Sequence, residues 1–364
     1  MSNTAESREP AAAELDLDDV RAVADAILYE GYLLYPYRKS SPKNRVRWQF
    51  GILAPRRWVE WDGPIAESVA GSVESWQQQT ECLLEVEPAE PERLLRVRVR
   101  FLQLQAKTVE RRTDDGYEPV ESLDVGDARY LSFDEAVPRE CDFVVSLPEL
   151  LADGRSFPIQ LSRGEQVEPL DDDARIVRRR WPVEATVTLA AEHLDAPRAA
   201  CKLRVRTENT VSTVVPTMTR AEALRYSLIA THTLLRGRGL RFLSQIEPPE
   251  WVERHAAACR NTHTFPVLTG DLDVADSMLS SPILLYDYPQ IAPESPGDLH
   301  DAAEIDEILS LRTMTLTEDE KREARATDPR AAEILDRVDD MPEEVMAKLH
   351  GAVRDLRPNP TTKP

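Results

Sequence analysis

The residues best suited to metal chemistry are two histidines and one cysteine at intervals of four. They are His255, Cys259 and His263, and a helix would present all three on one face. Neutral imidazole and thiolate are both zinc ligands, and Asp271 or Asp273 would complete such a site. The spacing therefore predicts a metal site, and with it a metal-dependent enzyme.

The same stretch also fits a role in ordinary packing. Asn261, Thr262 and Pro266 disfavour a continuous helix through His263, and the alanines at 256–258 resemble packing residues. No other feature of the sequence indicates a cofactor. The metal site and the packing role both stay open at this point.

Sequence motifs for nucleophilic or phosphate chemistry are missing. There is no G-x-S-x-G, no P-loop and no G-x-G-x-x-G. His193 and His232 are isolated in sequence, and acid–base pairs built from residues such as Glu30 or Asp62 are unspecific because the chain holds 65 acidic residues. The sequence thus favours a non-enzymatic function over an enzymatic one.

A basic, aromatic stretch is the most distinctive feature near the start of the chain. No acidic residue lies between Gly31 and Val59, and Tyr37, Trp48 and Trp58 are interleaved there with seven cations. Its candidate partner-binding residues are Tyr37, Arg38, Lys43, Asn44, Arg45, Arg47 and Trp48. These side chains could bind carboxylates of a protein partner, or they could dock the acidic C-terminal helices of the same chain. They could also bind nucleic acid, or form ion pairs with neighbouring side chains.

The stretch is predicted to be the central hairpin of a β-rich domain. Apolar side chains occupy both faces from Ile27 to Tyr37, which is typical of an interior strand. Trp48, Phe50 and Ile52 alternate with polar residues in a second strand. The basic tip lies between the two strands.

Composition limits the class of protein. The chain of 364 residues is 41% hydrophobic and 30% charged, with a formal charge of −20. This acidic balance makes nucleic acid an unlikely general partner, because phosphate binding depends on clustered Lys and Arg. Four widely spaced cysteines, an N-terminus without an apolar signal core, and no apolar run of membrane-spanning length predict a cytoplasmic protein that does not enter a membrane.

The predicted fold class is α+β, with a large antiparallel β-rich domain of the sandwich or barrel type over residues 19–280. Alternating residues predict a hairpin over 181–206, and Thr219 with Glu222 forms a capping box at the start of a predicted helix over 219–236. A change of phase in the long strand at Phe101–Leu102 predicts a β-bulge or a sharp bend there.

The ends of the chain have a different character. Residues 1–18 and 356–364 are predicted to be disordered, and residues 301–355 to form short acidic helices. Residues 281–300 are rich in proline and predict an extended arm pinned across the β-domain or across a partner. Within the arm, Tyr286, Asp287 and Tyr288 are further candidate partner-binding residues.

Three stretches resemble a family of uncharacterised bacterial proteins. The first comprises residues 29–38 and 43–51, the second residues 281–295, and the third the C-terminal segments 304–309 and 316–328. Members of this family are encoded near high-affinity nickel–iron uptake hydrogenases. The resemblance implies an accessory or assembly protein whose partner is a hydrogenase subunit, and it brings no catalytic residues.

The sequence thus leads to three hypotheses. The first is a non-enzymatic accessory protein that binds a protein partner, with the nickel–iron hydrogenase as the expected system. The second is a metal-dependent enzyme that uses His255, Cys259 and His263. The third is a nucleic-acid-binding module centred on the basic hairpin at 38–57.

Overall fold

The fold follows from a computed structural model. It describes residues 15–29, 50–61, 74–126, 128–290 and 316–327, with five further positions at 332, 335, 336, 339 and 340. Its strands are β1 (Gln77–Val86), β2 (Leu94–Thr113), β3 (Gly116–Val120), β4 (Ser122–Val125), β5 (Ala128–Leu131), β6 (Phe133–Ser146), β7 (Arg155–Leu161), β8 (Gly164–Pro169), β9 (Ala174–Arg180), β10 (Val183–His193), β11 (Ala200–Asn209), β12 (Ile229–Arg238), β13 (Leu240–Leu243), β14 (Phe265–Thr269) and β15 (Ser277–Ser281). Its helices include α1 (Arg21–Tyr29), α2 (Arg56–Val59), α3 (Leu147–Ala152), α4 (Arg220–Leu224), α5 (Glu253–Ala257) and α6 (Glu318–Thr327).

Two large antiparallel sheets form the body of the protein. One has the strand order β13-β1-β11-β10-β7, and the other has the order β14-β15-β12-β2-β9-β8, with β3 and β6 also paired to β2. The main core contains side chains from both sheets, with Phe101 and Phe242 among the largest fully buried ones. This arrangement confirms the predicted α+β, β-rich fold class. The hairpin predicted over 181–206 is present as β10 and β11.

The outer face of the larger sheet is also covered. The segment 15–29 packs Leu17, Ala24 and Ile27 against β12, β14 and β15, and the segment 50–59 covers Leu102 and Leu104 of β2. Side chains on both faces of β2 are therefore buried around residues 99–105. This double burial explains why the apolar pattern changes phase without exposing either half of the strand.

The irregularity predicted at Phe101–Leu102 lies in the neighbouring strand. The register of β2 against β6 runs unbroken through this point, whereas the register against β12 shifts between Ile229 and His232. The extra residue is on β12, where Ala230 has a φ of 52°. The prediction located the bulge correctly along the ladder and assigned it to the wrong strand.

The helix predicted over 219–236 is wrong in its extent. The capping box is present, since Thr219 Oγ1 accepts from the Glu222 amide and the Glu222 carboxylate accepts from the Thr219 amide at 2.8 Å. The helix ends at Leu224, however, and residues 229–238 form β12. Nearly every residue of β12 is buried, so apolar positions occur at both helical and strand spacing.

Two predictions for the N-terminal part also need correction. Residues Ile27 to Tyr29 belong to α1 and not to a strand, and the remainder of the predicted hairpin lies outside the described residues. Disorder was predicted up to residue 18, but Leu15 and Leu17 are almost completely buried. These two buried leucines anchor the segment, although its acidic composition predicts disorder.

Candidate functional site

The arm at residues 282–290 lies on the β-domain and is fixed there by Asp287. Its Oδ1 accepts a hydrogen bond from the Leu268 amide at 2.7 Å, and its Oδ2 accepts one from Ser244 Oγ at 2.5 Å. The Tyr288 amide donates to the Leu268 carbonyl at 2.7 Å. These bonds attach the arm to β14 and to the loop after β13, as the prediction of a pinned arm requires.

Side chains of the arm alternate between burial and exposure. Ile283 and Leu285 pack against the apolar cluster beneath α1, whereas Leu284 and Tyr286 are 77% and 85% exposed. These are the highest exposed fractions among the large apolar side chains in the described part of the chain. From Ile283 to Tyr286, only every second side chain is therefore covered.

Two loops next to the arm also expose apolar side chains. Tyr288 Oη donates to the Leu272 carbonyl at 3.4 Å, and Leu272 itself is 63% exposed. Ile246 is 47% exposed, and its amide donates to Ser244 Oγ, which in turn binds Asp287. We name Ile246, Leu272, Leu284 and Tyr286 together the arm surface.

The phenol of Tyr288 completes the anchoring of this region. Burial, followed by the charge of the neighbouring Asp287, raises the pKa of Tyr288 above its ordinary value. The hydroxyl is therefore protonated at neutral pH and serves as a donor to Leu272. Tyr288 thus acts as an anchor of the arm, while Tyr286 presents its ring to solvent.

The predicted helical face of metal ligands does not form. Helix α5 ends at Ala257, before Cys259, and His263 has a left-handed backbone with a φ of 58°. His255 Nε2 lies 3.2 Å from Arg254 Nε and 3.1 Å from the Asp195 carbonyl, so this ring nitrogen has hydrogen-bond partners within the chain. His263 instead lines a separate cavity of about 40 Å³, the space of one or two water molecules. Within the described ranges, no group of three or more His, Cys, Asp or Glu side chains is arranged to hold a metal ion.

Cys259 lies beside a buried ion-paired glutamate. The carboxylate of Glu81 accepts from Arg204 at 2.6 and 2.7 Å and from the Arg260 amide at 2.8 Å. Burial, with the charge of Glu81 second, raises the pKa of Cys259 to about 11. The thiol is therefore protonated at neutral pH and is a poor nucleophile.

One histidine that is isolated in sequence has a cysteine neighbour in space. His193 and Cys201 are paired across β10 and β11, with Cys201 Sγ 3.6 Å from His193 Nδ1. This resembles the geometry of a cysteine–histidine pair. Burial raises the pKa of Cys201, however, and the effect is the opposite of the activation that a catalytic thiolate needs.

His232 is fully buried on β12. Its Nδ1 hydrogen-bonds to the Ala230 carbonyl at 2.8 Å, and burial, with the charge of Arg100 second, lowers its pKa to about 3. Arg100 is itself buried and pairs with Asp25 of α1 and, at 2.8 Å, with Glu140. The ion pair of Arg100 with Asp25 ties α1 to the sheet, and the neutral imidazole of His232 hydrogen-bonds within β12, so both residues have structural roles.

Only the end of the basic stretch falls within the described residues. Arg56 pairs with Glu60 at 2.8 Å and lies over the ring of Trp76, and Arg57 donates to the Ser212 carbonyl at 3.3 Å. Trp58 Nε1 donates to the Met218 carbonyl at 2.8 Å. The candidate residues Tyr37, Arg38, Lys43, Asn44, Arg45, Arg47 and Trp48 lie outside the described residues, as do Glu30 and Asp62.

The described helix of the acidic C-terminal region docks on the same chain. Helix α6 packs against β5, Ala324 is fully buried, and Lys107 Nζ donates to the Ala326 carbonyl at 3.5 Å. A cation at the last turn complements the negative end of the helix dipole. Thr317 and Glu320 form a capping box at the start of this helix.

One group of polar residues was missed by the sequence analysis. Three arginines, a tryptophan and a tyrosine line a groove at one end of the sandwich. The sequence feature that could have indicated this groove is the run Arg178 to Trp181, at the start of the hairpin predicted over 181–206. The other residues of the groove come from distant parts of the sequence.

The fold and sites together define an antiparallel β-sandwich protein with a pinned, apolar arm and a cationic groove. Comparison with protein-family models and with curated proteins finds no match. Within the described residues, no helix is both long and apolar enough to cross a membrane.

Proposed function

We propose that this protein is a non-enzymatic accessory or assembly protein that binds another polypeptide through the arm surface. The observation that carries the proposal is the pair Leu284 and Tyr286, which are 77% and 85% exposed on a segment held by buried neighbours. Exposed apolar side chains that are contiguous mark interaction sites more often than isolated ones do. Tyrosine is also among the residues enriched at binding hot spots.

The arm is suited to binding because its backbone is already ordered. The Asp287 carboxylate and the Tyr288 amide fix the segment, and Ile283 and Leu285 fill the cluster below it. A partner therefore meets side chains that have lost part of their conformational entropy before association. Preorganisation of this kind raises affinity without adding contacts.

The resemblance described above gives the proposal a specific partner. Residues 281–295 are among the stretches that carry it, and the arm surface takes Leu284 and Tyr286 from those residues. We therefore propose a subunit of a nickel–iron hydrogenase as the partner, with a role in its maturation or assembly. Binding at the arm surface would act on the subunit while it is being assembled, with no chemical step.

Co-purification tests this proposal. The full chain carrying an affinity tag is expressed with the hydrogenase, in the presence and absence of nickel, and the retained subunits are identified. We expect a hydrogenase subunit to be retained by the wild type and to be lost with the double variant Leu284→Ser/Tyr286→Ser. Each hot-spot truncation costs about 2 kcal/mol or more in binding free energy, so affinity should fall at least thirtyfold.

A matched control separates binding from solubility. Val167 is 48% exposed on the edge strand β8, so Val167→Ser removes a comparable exposed apolar side chain from another surface. The control should retain the subunit as the wild type does, and both variants should fold because exposed substitutions change stability little. Retention of no hydrogenase subunit under either nickel condition would contradict the proposed partner, and equal retention by the double variant would contradict the arm surface.

A further inference from the structure

A cationic groove lies where the chain passes between the two sheets. Strands β7 and β10 belong to the five-stranded sheet, whereas β8 and β9 belong to the larger one. Both crossings, β7 to β8 and β9 to β10, contribute to a groove of about 730 Å³. Its lining includes the cations Arg163, Arg179 and Arg180, the carboxylate Glu165, and the rings of Trp181 and Tyr226. This volume is typical of a site for a small molecule.

Arg180 of the groove lining and Arg139 of β6 are bound to amides instead of carboxylates. Arg180 Nη1 donates to Gln105 Oε1 at 3.3 Å. Arg139 donates through Nε and Nη2 to Gln103 Oε1 at 3.0 and 2.9 Å, and Gln103 Nε2 donates to the Trp181 carbonyl at 2.9 Å. The amide oxygens orient both guanidinium groups without neutralising their charge.

Neighbouring arginines on the same strand show the contrast. Arg178 pairs with Glu168 at 2.5 Å and with Glu135 at 3.2 Å, and Arg179 pairs with Glu165 at 2.8 Å. Arg180, the next residue, makes no ion pair with a carboxylate in the part of the chain that the structure describes. The same holds there for Arg139 and Arg163. Among the described residues, Arg163 and Arg180 of the lining therefore have no carboxylate partner, while the lining carboxylate Glu165 is already paired with Arg179.

The remaining contacts reinforce the unbalanced charge. Burial lowers the pKa of Arg139, and the positive charge of Arg180 lowers it further, so the two guanidinium groups repel each other. A ligand with negative charge would relieve this repulsion.

We propose that the groove binds a small multivalent oxyanion, a molecule with two or more phosphate or carboxylate groups. Arg180, with Arg139 behind it and Arg163 at the opposite crossing, would supply the positive charge. The planar donor pairs of guanidinium match both kinds of oxyanion, so this chemistry alone does not choose between phosphate and carboxylate. The site is separate from the arm surface and does not depend on the proposed protein partner.

Titration calorimetry with the full chain tests the proposal. The probes are inorganic pyrophosphate and citrate, used at about 50 mM salt because screening weakens such binding at higher ionic strength. Saturable 1:1 binding of pyrophosphate would support a phosphate ligand, and binding of citrate a carboxylate ligand. Binding of both would support the shared oxyanion chemistry. Failure of both probes to saturate at millimolar concentrations would overturn the proposal.

Variants locate the binding within the groove. Arg180→Gln should weaken binding about tenfold or more, because it removes a charged donor from the lining. Arg139→Gln should weaken binding by a smaller factor, because Arg139 is not part of the lining and acts only through its charge. Arg155→Gln is the control, since Arg155 of β7 is exposed, pairs with Glu149 at 2.6 Å and is not part of the groove lining, and it should change affinity less than threefold. Arg180→Lys keeps the charge and should retain part of the affinity. This result would show that the loss of binding in Arg180→Gln comes from the lost charge and not from misfolding. Equal affinity for wild type, Arg180→Gln and Arg139→Gln would overturn the site.

Discussion

Replacing Asp287 by alanine should release the arm from the β-domain. The carboxylate accepts one bond from the Leu268 amide at 2.7 Å and one from Ser244 Oγ at 2.5 Å. Hydrogen bonds to charged groups contribute about 1.5–3 kcal/mol each, so the two together contribute about 3–6 kcal/mol. We expect a contribution near the lower end of this range, about 3 kcal/mol, because the carboxylate is only part-buried and is hydrated again when the arm opens.

Hydrogen exchange at the Tyr288 amide measures this change directly. That amide donates to the Leu268 carbonyl and is exposed to solvent when the arm detaches. A loss of about 3 kcal/mol in the free energy of opening accelerates exchange about a hundredfold. Ile283 and Leu285 stay apolar in the variant, so the main core should exchange as slowly as in the wild type.

Two comparison variants make the result interpretable. Asp287→Asn keeps an acceptor for the Leu268 amide and should show an intermediate rate. Asp273→Ala removes the same charge from an exposed position in the neighbouring loop and should leave Tyr288 protected. Unchanged protection of Tyr288 in Asp287→Ala would refute the role of Asp287 as the anchor of the arm.

Two further predictions follow from shifted pKa values. The pKa of His232 is about 3 in the folded chain and near 6.5 when unfolded, so the unfolded state takes up the proton first as pH falls. Stability from neutral His232 is therefore complete above about pH 6.5 and declines by up to about 1.4 kcal/mol per pH unit towards pH 3. Urea unfolding should show a shallower acid loss for His232→Gln, and identical slopes would contradict this assignment. The pKa of Cys259 is about 11, so native labelling by iodoacetamide at neutral pH should be at least about tenfold slower than for an ordinary thiol. Mass spectrometry should show fast labelling in urea, and equal rates in native and unfolded protein would contradict the raised pKa.

Strands with one solvated face were predictable from the sequence. In β10 and β11 the apolar residues alternate with polar ones, and Cys201, Leu203 and Val205 are buried in the structure while Arg204 is exposed. A period of two has no helical counterpart, so the pattern identifies strands directly. The local capping box at Thr219 was likewise recognised correctly, because it depends only on residues three apart.

Strands covered on both sides were not predictable in the same way. In β12 the buried residues include Ile229, Leu234 and Leu235 together with His232, so neither period dominates. Tertiary packing decided the structure against a capping signal that suited a longer helix. The error in the helix at 219–236 and the misplaced bulge both come from this strand, whose extra residue is Ala230.

The groove was out of reach of sequence reasoning for a different reason. Arg139 and Arg180 are 41 residues apart, and their shared feature is a pair of glutamines on β2 that replaces the expected carboxylates. The spacing of residues in a sequence does not predict which acceptor an arginine side chain will bind. The four-residue spacing of His255, Cys259 and His263 was visible but misleading, because α5 ends before the second of them.

The arm illustrates how a segment can be ordered and exposed at once. Ile283 and Leu285 point into the cluster beneath α1, while Leu284 and Tyr286 alternate with them and remain in water. The alternation is that of a strand, yet no β-ladder holds residues 282–290, so side-chain anchors provide the order. The folded chain has therefore already lost conformational entropy that a flexible peptide would lose on binding. For this reason a substitution at Asp287 should weaken partner binding even though Tyr286 itself is unchanged.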